Sequence, residues 1–246
     1  MQAIVLSRRD FREYDQIISL YTKEEGKREV LARGVKKTVS KNSAFLEPFS
    51  FVEVEIVRGK EIDHLTTVQP IDLFKKIRSD LRKALYASYV VKLIDRIIIS
   101  AVPDKRIFEL VISWLAFVNT AGDVSYYVVS SCMVKLIGLL GFVPQLDRCL
   151  NCNEPLVPAR AYTFDIKNGG VVCPTCAPRV SEQIPKIVIS EEAHQAFKTL
   201  LSGQWAEVNA LHLPKEAEEK LHSALYSFVR YHSERPVEDW RIIDTL

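Results

Sequence analysis

Four catalytic signatures are missing from this chain of 246 residues. It has no GxxxxGK(S/T) loop to cradle a nucleoside triphosphate, no GxGxxG turn for a dinucleotide, no HExxH helix and no GxSxG elbow. Its five histidines, His64, His194, His212, His222 and His232, are scattered. His222 and His232 stand ten residues apart, so they form no i, i+4 ligand pair. Each histidine reads as a surface or helix-end residue rather than a base. No cluster of carboxylates recommends a metal-dependent nuclease. The expectation is a protein that is not an enzyme and has no catalytic residues.

Long apolar runs are missing too. The longest, Leu110 to Val118, falls well short of the ~20 residues that cross a bilayer. The apolar start Ala3–Leu6 meets Arg8 and Arg9 at once and does not read as a signal peptide. No repeat, low-complexity tract or disorder-like tail is visible. The expected setting is the cytoplasm, where thiols stay reduced.

Cysteine is scarce, and four of the five cysteines form two pairs, Cys149-Leu-Asn-Cys152 and Cys173-Pro-Thr-Cys176, with 20 residues between them. Each pair can present two thiolates from one knuckle, and two knuckles complete a tetrahedron of sulfur around one Zn2+. The separation lies at the upper edge of the zinc-ribbon template. Four thiolates leave no open position for water or substrate, so the expected zinc is structural. The fifth, Cys132, sits in an apolar helical stretch and reads as a packed core thiol.

Residues 1–70 read as strands: Ala3–Leu6, Gln16–Tyr21, Arg28–Ala32, the alternating Phe51–Val57, and Ile62–Val68 after an Arg58–Lys60 turn. Glu53 and Glu55 should face outward. Five short strands in that length suggest a small antiparallel barrel of OB-fold size, ended by Pro70. Helical periodicity then takes over. Leu73, Ile77, Leu81, Leu85, Tyr89, Leu93 and Ile97 recur at four-residue steps. A second helix opens at Pro103-Asp104, and a third, about Val124 to Leu140, is apolar on several faces and should be central. Between the cysteine pairs, Ala161–Phe164 and Val171-Val172 flank a Lys167-Asn-Gly-Gly170 turn, giving a small β-ribbon. After Pro185 the chain should return to helix, with Ser190 as an N-cap. The expected architecture is α+β and multidomain: an OB-fold barrel over 1–70 that binds nucleic acid, and an α-helical domain over 71–246. A four-cysteine zinc finger over 144–180 interrupts the helical part.

Net charge is only +2, yet residues 1–83 hold 17 Lys/Arg against 13 Asp/Glu, while residues 181–246 hold 7 against 11. The positive charge is densest over Gly26–Lys41, with Lys27, Arg28, Arg33, Lys36, Lys37 and Lys41 against Glu29 alone. A local patch of this kind attracts a polyanion. Gly34 allows a tight path among the cations, and Ser and Thr hydroxyls between them can also bond phosphate oxygens. Arg8 and Arg9 join these six as candidate DNA-binding residues. Phe11, Tyr14, Tyr21, Phe45, Phe49 and Phe51 are possible stacking surfaces, although for any single one core packing is the default role. The residues leave three functions open: a DNA-binding protein, a nucleic-acid-modifying enzyme with a structural zinc ribbon, and a protein-interaction adaptor.

Four stretches go further. Ala3-Ile-Val-Leu-Ser-Arg-Arg-Asp-Phe-Arg-Glu-Tyr-Asp15, then Gly34-Val-Lys-Lys37 with Ser40, then Leu46-Glu-Pro-Phe49 resemble the N-terminal domain of the RecO family of bacterial recombination mediators. Lys135-Leu-Ile-Gly-Leu-Leu-Gly-Phe-Val-Pro-Gln-Leu-Asp-Arg-Cys149 resembles that family's passage from central helix into zinc finger, and the four cysteines match its ligands. The resemblance implies binding of single- and double-stranded DNA (ssDNA and dsDNA) without sequence preference and annealing of complementary strands. It also implies work with RecR to let the RecA nucleofilament displace single-strand-binding protein (SSB), in the RecF pathway of DNA repair, on the nucleoid. The C-terminus departs from the family pattern: after Arg235-Pro236 this chain reads Val-Glu-Asp-Trp240 in place of a basic turn.

Overall fold

Alternating apolar residues draw the first five strands into a closed barrel. The computed structural model describes residues 1–37, 42–99, 101–180, 183 and 185–245. Strands β1 (Gln2–Asp10), β2 (Gln16–Thr22), β3 (Gly26–Ala32), β4 (Phe51–Val57) and β5 (Asp63–Asp72) follow the order β1-β2-β3-β5-β4. The ring closes by antiparallel pairing of β1 with β4 and by a short parallel pairing of β3 with β5. This is the OB-type barrel expected from the strand count. Ala3, Val5, Ile18, Leu20, Val30, Val52, Val54 and Val68 fill it, while Glu53 and Glu55 face solvent. Strand β5 runs through Pro70 to Asp72, so Pro70 does not end it. The ladder skips a residue there, pairing Val52 with Pro70 and Phe51 with Asp72, and a bulge is where a strand tolerates proline.

Residues 1–122 with 243–246 form one compact unit, and residues 123–242 form a second. In the first, the barrel is followed by a single turn, α1 (Lys75–Arg78), then α2 (Leu81–Ile97) and α3 (Lys105–Thr120). Asp80 and Asp104 cap the two longer helices, accepting from the backbone N–H of Lys83 and Arg106. The four-residue stripe expected from sequence is buried only in part, at Ile77 of α1 and Leu93 of α2. At 3.6 residues per turn a four-residue step drifts ~40° each time, so the stripe winds around the helix. Leu81 is accordingly 77% exposed, and the buried face runs through Tyr86, Ala87, Val90, Val91, Leu93 and Ile94.

In the second unit, α4 (Tyr126–Leu139) is buried along nearly its whole length, as its all-round apolar sequence requires. Cys132 is fully buried in it, and burial pushes the thiol up to about 12. A three-stranded sheet follows, with β6 (Ala161–Asp165) between β7 (Gly170–Val172) and β8 (Lys186–Ser190). Strand β8 corrects the expectation of helix directly after Pro185. Its Lys-Ile-Val-Ile-Ser is half exposed and takes its conformation from antiparallel pairing with β6. Ser190 both ends β8 and caps α5 (Glu191–Ser202), accepting from the Ala193 N–H. The short α6 (Trp205–Asn209) and α7 (Lys215–His232) complete the unit. The divergent C-terminal segment has a packing role: Trp240 is buried and donates its indole N–H to Ser130 Oγ at 2.9 Å.

Two histidines depart from expectation. His194 and His222 are buried, not surface residues. A ring nitrogen of His194 bonds Leu146 O at 2.7 Å, and one of His222 bonds Asp239 Oδ1 at 2.8 Å. Both knit elements of the second unit together.

Candidate nucleic-acid interface and metal centre

The polar loop between β1 and β2 forms a tight tip. The N–H groups of Phe11 and Arg12 both donate to Asp15 O, at 3.1 and 3.3 Å, and Asp15 N–H donates back to Arg12 O at 3.3 Å. The turn after β3 docks onto this tip. Gly34 N–H donates to Asp15 Oδ1 at 2.8 Å and Lys36 N–H to Tyr14 O at 3.1 Å. Gly34 has φ +62°, a left-handed conformation that glycine adopts without strain. Val35 is buried and anchors the turn, while Arg33 and Lys37 stand at the surface.

The structure sorts the eight candidate cations by what already neutralises them. Lys27 is largely buried and pairs with Asp95 Oδ1 at 2.8 Å. Arg28 is held by Asp63 and Glu25. Arg8 pairs with Glu47 at 2.8 Å, Arg9 with Glu29 at 3.3 Å and Lys36 with Asp10 at 2.7 Å. Gln16 and Lys36 together hold the Asp10 carboxyl below its usual range. Arg33 and Lys37 have no carboxylate partner among the described residues. Lys41 lies outside the described residues.

The six aromatics separate as sharply. Tyr21 and Phe49 are buried, the latter beneath the Arg78 guanidinium at 4.2 Å. Phe45 packs on the barrel core, and Phe51 meets Phe108 edge-on at 5.9 Å. Only Phe11 and Tyr14, both at the hairpin tip, are open to solvent, at 45% and 46%. Arg12 lies over the Phe11 ring at 5.1 Å and Lys37 over Tyr14 at 5.9 Å. Arg12 is the basic residue that sequence reading passed over. Its place in a polar loop between two strands was the signal for it.

In the second unit the two cysteine pairs converge. The Sγ atoms of Cys149, Cys152, Cys173 and Cys176 all lie within 4.8 Å of one another. A Zn–S distance of ~2.3 Å places tetrahedral sulfurs ~3.8 Å apart, so the set fits with a small contraction. The knuckles are shaped by backbone: Cys149 N–H donates to Glu154 O, Asn153 turns back at φ +59°, and Cys176 N–H donates to Cys173 O at 3.0 Å. Leu150 N–H reaches Val171 O at 2.9 Å, which locks the first knuckle to β7. That close approach needs Gly170, because a Cβ there would stand 2.8 Å from Leu150 Cδ2. Burial alone would raise the Cys149 thiol. Backbone N–H groups around it, including those of Cys173 and Asn151, outweigh burial and lower it to about 6. Cys176 is pushed the other way, to about 12, by its hydrogen bond with Cys173 and then by burial and the other two thiols. Four thiols crowded together cannot all ionise unless a cation sits among them, and the donor set suits zinc.

Comparison with known proteins agrees along the whole chain. Residues 1–74 match the family model described as Recombination protein O N terminal, and residues 78–241 match Recombination protein O C terminal. A DNA repair protein RecO from Desulforamulus reducens is 28% identical over 246 residues, covering 100% of this chain and 94% of that protein. One from Syntrophus aciditrophicus is 31% identical over 214 residues, covering 85% of this chain and 80% of its own length. One from Bacillus pumilus is 31% identical over 186 residues, covering 75% and 70%. With an OB-type barrel, a helical part and a four-cysteine cluster in that order, the chain belongs to the RecO family of DNA repair and recombination proteins.

Proposed function

We propose that this protein is a recombination mediator that works without a catalytic step. It binds ssDNA and dsDNA through the barrel, without sequence preference, and anneals complementary strands. With RecR it helps RecA take over DNA coated by SSB. The observation that carries this reading is the Arg33–Lys37 turn, where Arg33 and Lys37 have no carboxylate partner among the described residues and the backbone is fixed by hydrogen bonds to the β1–β2 tip. Such cations neutralise phosphates and release counterions, an interaction that reads backbone and not sequence. Screening the charge of two strands at once lowers the repulsion that slows their pairing. Cys149, Cys152, Cys173 and Cys176 hold one Zn2+ as a structural clip for the ribbon. A protein that works on chromosomal DNA belongs on the nucleoid, and we place it there. No helix among the described residues is long and apolar enough to cross a membrane.

Salt dependence tests the assignment. In the Arg33→Ala/Lys37→Ala variant, the slope of log affinity for a short duplex against log salt should flatten by about 0.9 for each phosphate no longer neutralised. Lys27→Met combined with Asp95→Leu should leave the slope unchanged, because the pair is already neutral and both charges leave together. An unaltered slope in the double variant would remove the turn from the DNA interface.

A further inference from the structure

We propose that Phe11 and Tyr14 form a stacking platform for unpaired bases, giving the barrel a preference for single strands over duplex. This rests on the DNA-binding reading above and adds the part of the ligand that the cations do not touch.

Two large aromatic rings, each nearly half exposed, stand on one five-residue tip, whereas the other four aromatics of this region are packed. Exposure of that kind leaves apolar surface in water unless a ligand covers it. Each ring also has a cation near one face, Arg12 at 5.1 Å from Phe11 and Lys37 at 5.9 Å from Tyr14. A base resting on a ring therefore has a positive charge within reach for its own phosphate. This pairing of π-surface and cation is how sequence-tolerant single-strand sites are built.

The tip is also held in place before any ligand arrives. Five hydrogen bonds fix it: three within Phe11–Asp15 and two from the Gly34–Lys36 turn. Little ordering remains to be done on binding, which favours affinity.

The selectivity follows from what each form of DNA exposes. In a duplex the base faces are covered by their neighbours, and only phosphates meet this surface. In a single strand the faces are open. Stacking engages a base through its face and leaves its pairing edge free for an incoming complement.

The test compares wild type with Phe11→Ala/Tyr14→Ala on three probes: an oligonucleotide single strand, the same strand carrying abasic sites, and the duplex. Stacking of this kind contributes roughly fivefold or more per ring, so single-strand affinity should fall by that factor for each ring removed. Duplex and abasic-strand affinity should stay within about twofold, and the single-strand salt slope should not move, since every cation remains in place. Phe11→Tyr/Tyr14→Phe keeps both faces and should bind as wild type does. Equal losses on all three probes, or none on the intact strand, would overturn the platform while leaving the mediator reading in place. A wild-type protein that binds none of the probes would overturn both.

Discussion

Replacing Cys149 with serine should strip the protein of zinc and open the two cysteine knuckles of the ribbon to protease. Metal binding and local folding are one event in sites of this type, because the thiolates are brought together only by the fold they stabilise. Few apolar side chains hold the two knuckles otherwise: the cluster at the cysteines contains Val172 and Val180, with Leu150 and Leu156 packed against them, while Tyr162, Phe164 and Val171 bury the β-ribbon itself in the second unit. Cys149 is the sulfur with most support, buried and accepting the N–H groups of Asn151 and Cys173 at 3.4 and 3.3 Å. A serine hydroxyl at that place does not ionise near neutral pH and is a poor zinc ligand. Metal analysis of freshly purified protein should find close to one zinc per chain in wild type and little in the variant, with new cleavage confined to the ribbon. Wild-type protein that carries no metal, or a variant that keeps it, would refute the site.

Asp95→Ala should lower the stability of the first unit by about 2–4 kcal/mol, the range for leaving a largely buried charge without its partner. Asp95 lies on α2 and receives three strands at once: Ser7 of β1 and Ser19 of β2 each donate a hydroxyl at 2.6 Å, and Lys27 of β3 pairs at 2.8 Å. Lys27 also donates to the Asp95 backbone carbonyl. Burial alone would raise the carboxyl, but the bonds from Lys27, Ser19 and Ser7 outweigh it and hold it below the usual range. A group with a depressed folded value contributes stability above its unfolded value, about pH 3.9, and loses it as pH falls through the folded value. Urea unfolding across pH should show this acid limb in wild type and a reduced one in Asp95→Asn. Combining Lys27→Met with Asp95→Leu should recover part of the loss, because both charges leave together. A variant as stable as wild type would show that the network does not anchor α2.

How far the sequence disclosed these features depended on how local their causes are. The cysteine pairs and the barrel strands were legible because their signals lie within a few residues: a CxxC spacing, a period of two, an Asp or Ser before a helix. The density of cations after β3 was equally plain. Which of them were free was not, because their partners come from far away. Lys27 is 68 residues from Asp95, and Arg28 is 35 from Asp63. The same limit hid β8, whose pairing with β6 is non-local, and the buried face of α2, where apolar residues outnumber those the fold can cover. Aromatic residues near the basic stretch looked alike in sequence. Only the tertiary structure distinguishes Tyr21, buried with its hydroxyl donating to Asp104 O, from Tyr14, at the exposed tip.

Annealing is where the account is most exposed. Purified protein, with no nucleotide and no partner, should accelerate pairing of two complementary single strands, and Arg33→Ala/Lys37→Ala should slow that reaction toward the spontaneous rate. Wild-type protein that leaves the rate of pairing unchanged would contradict the mediator mechanism.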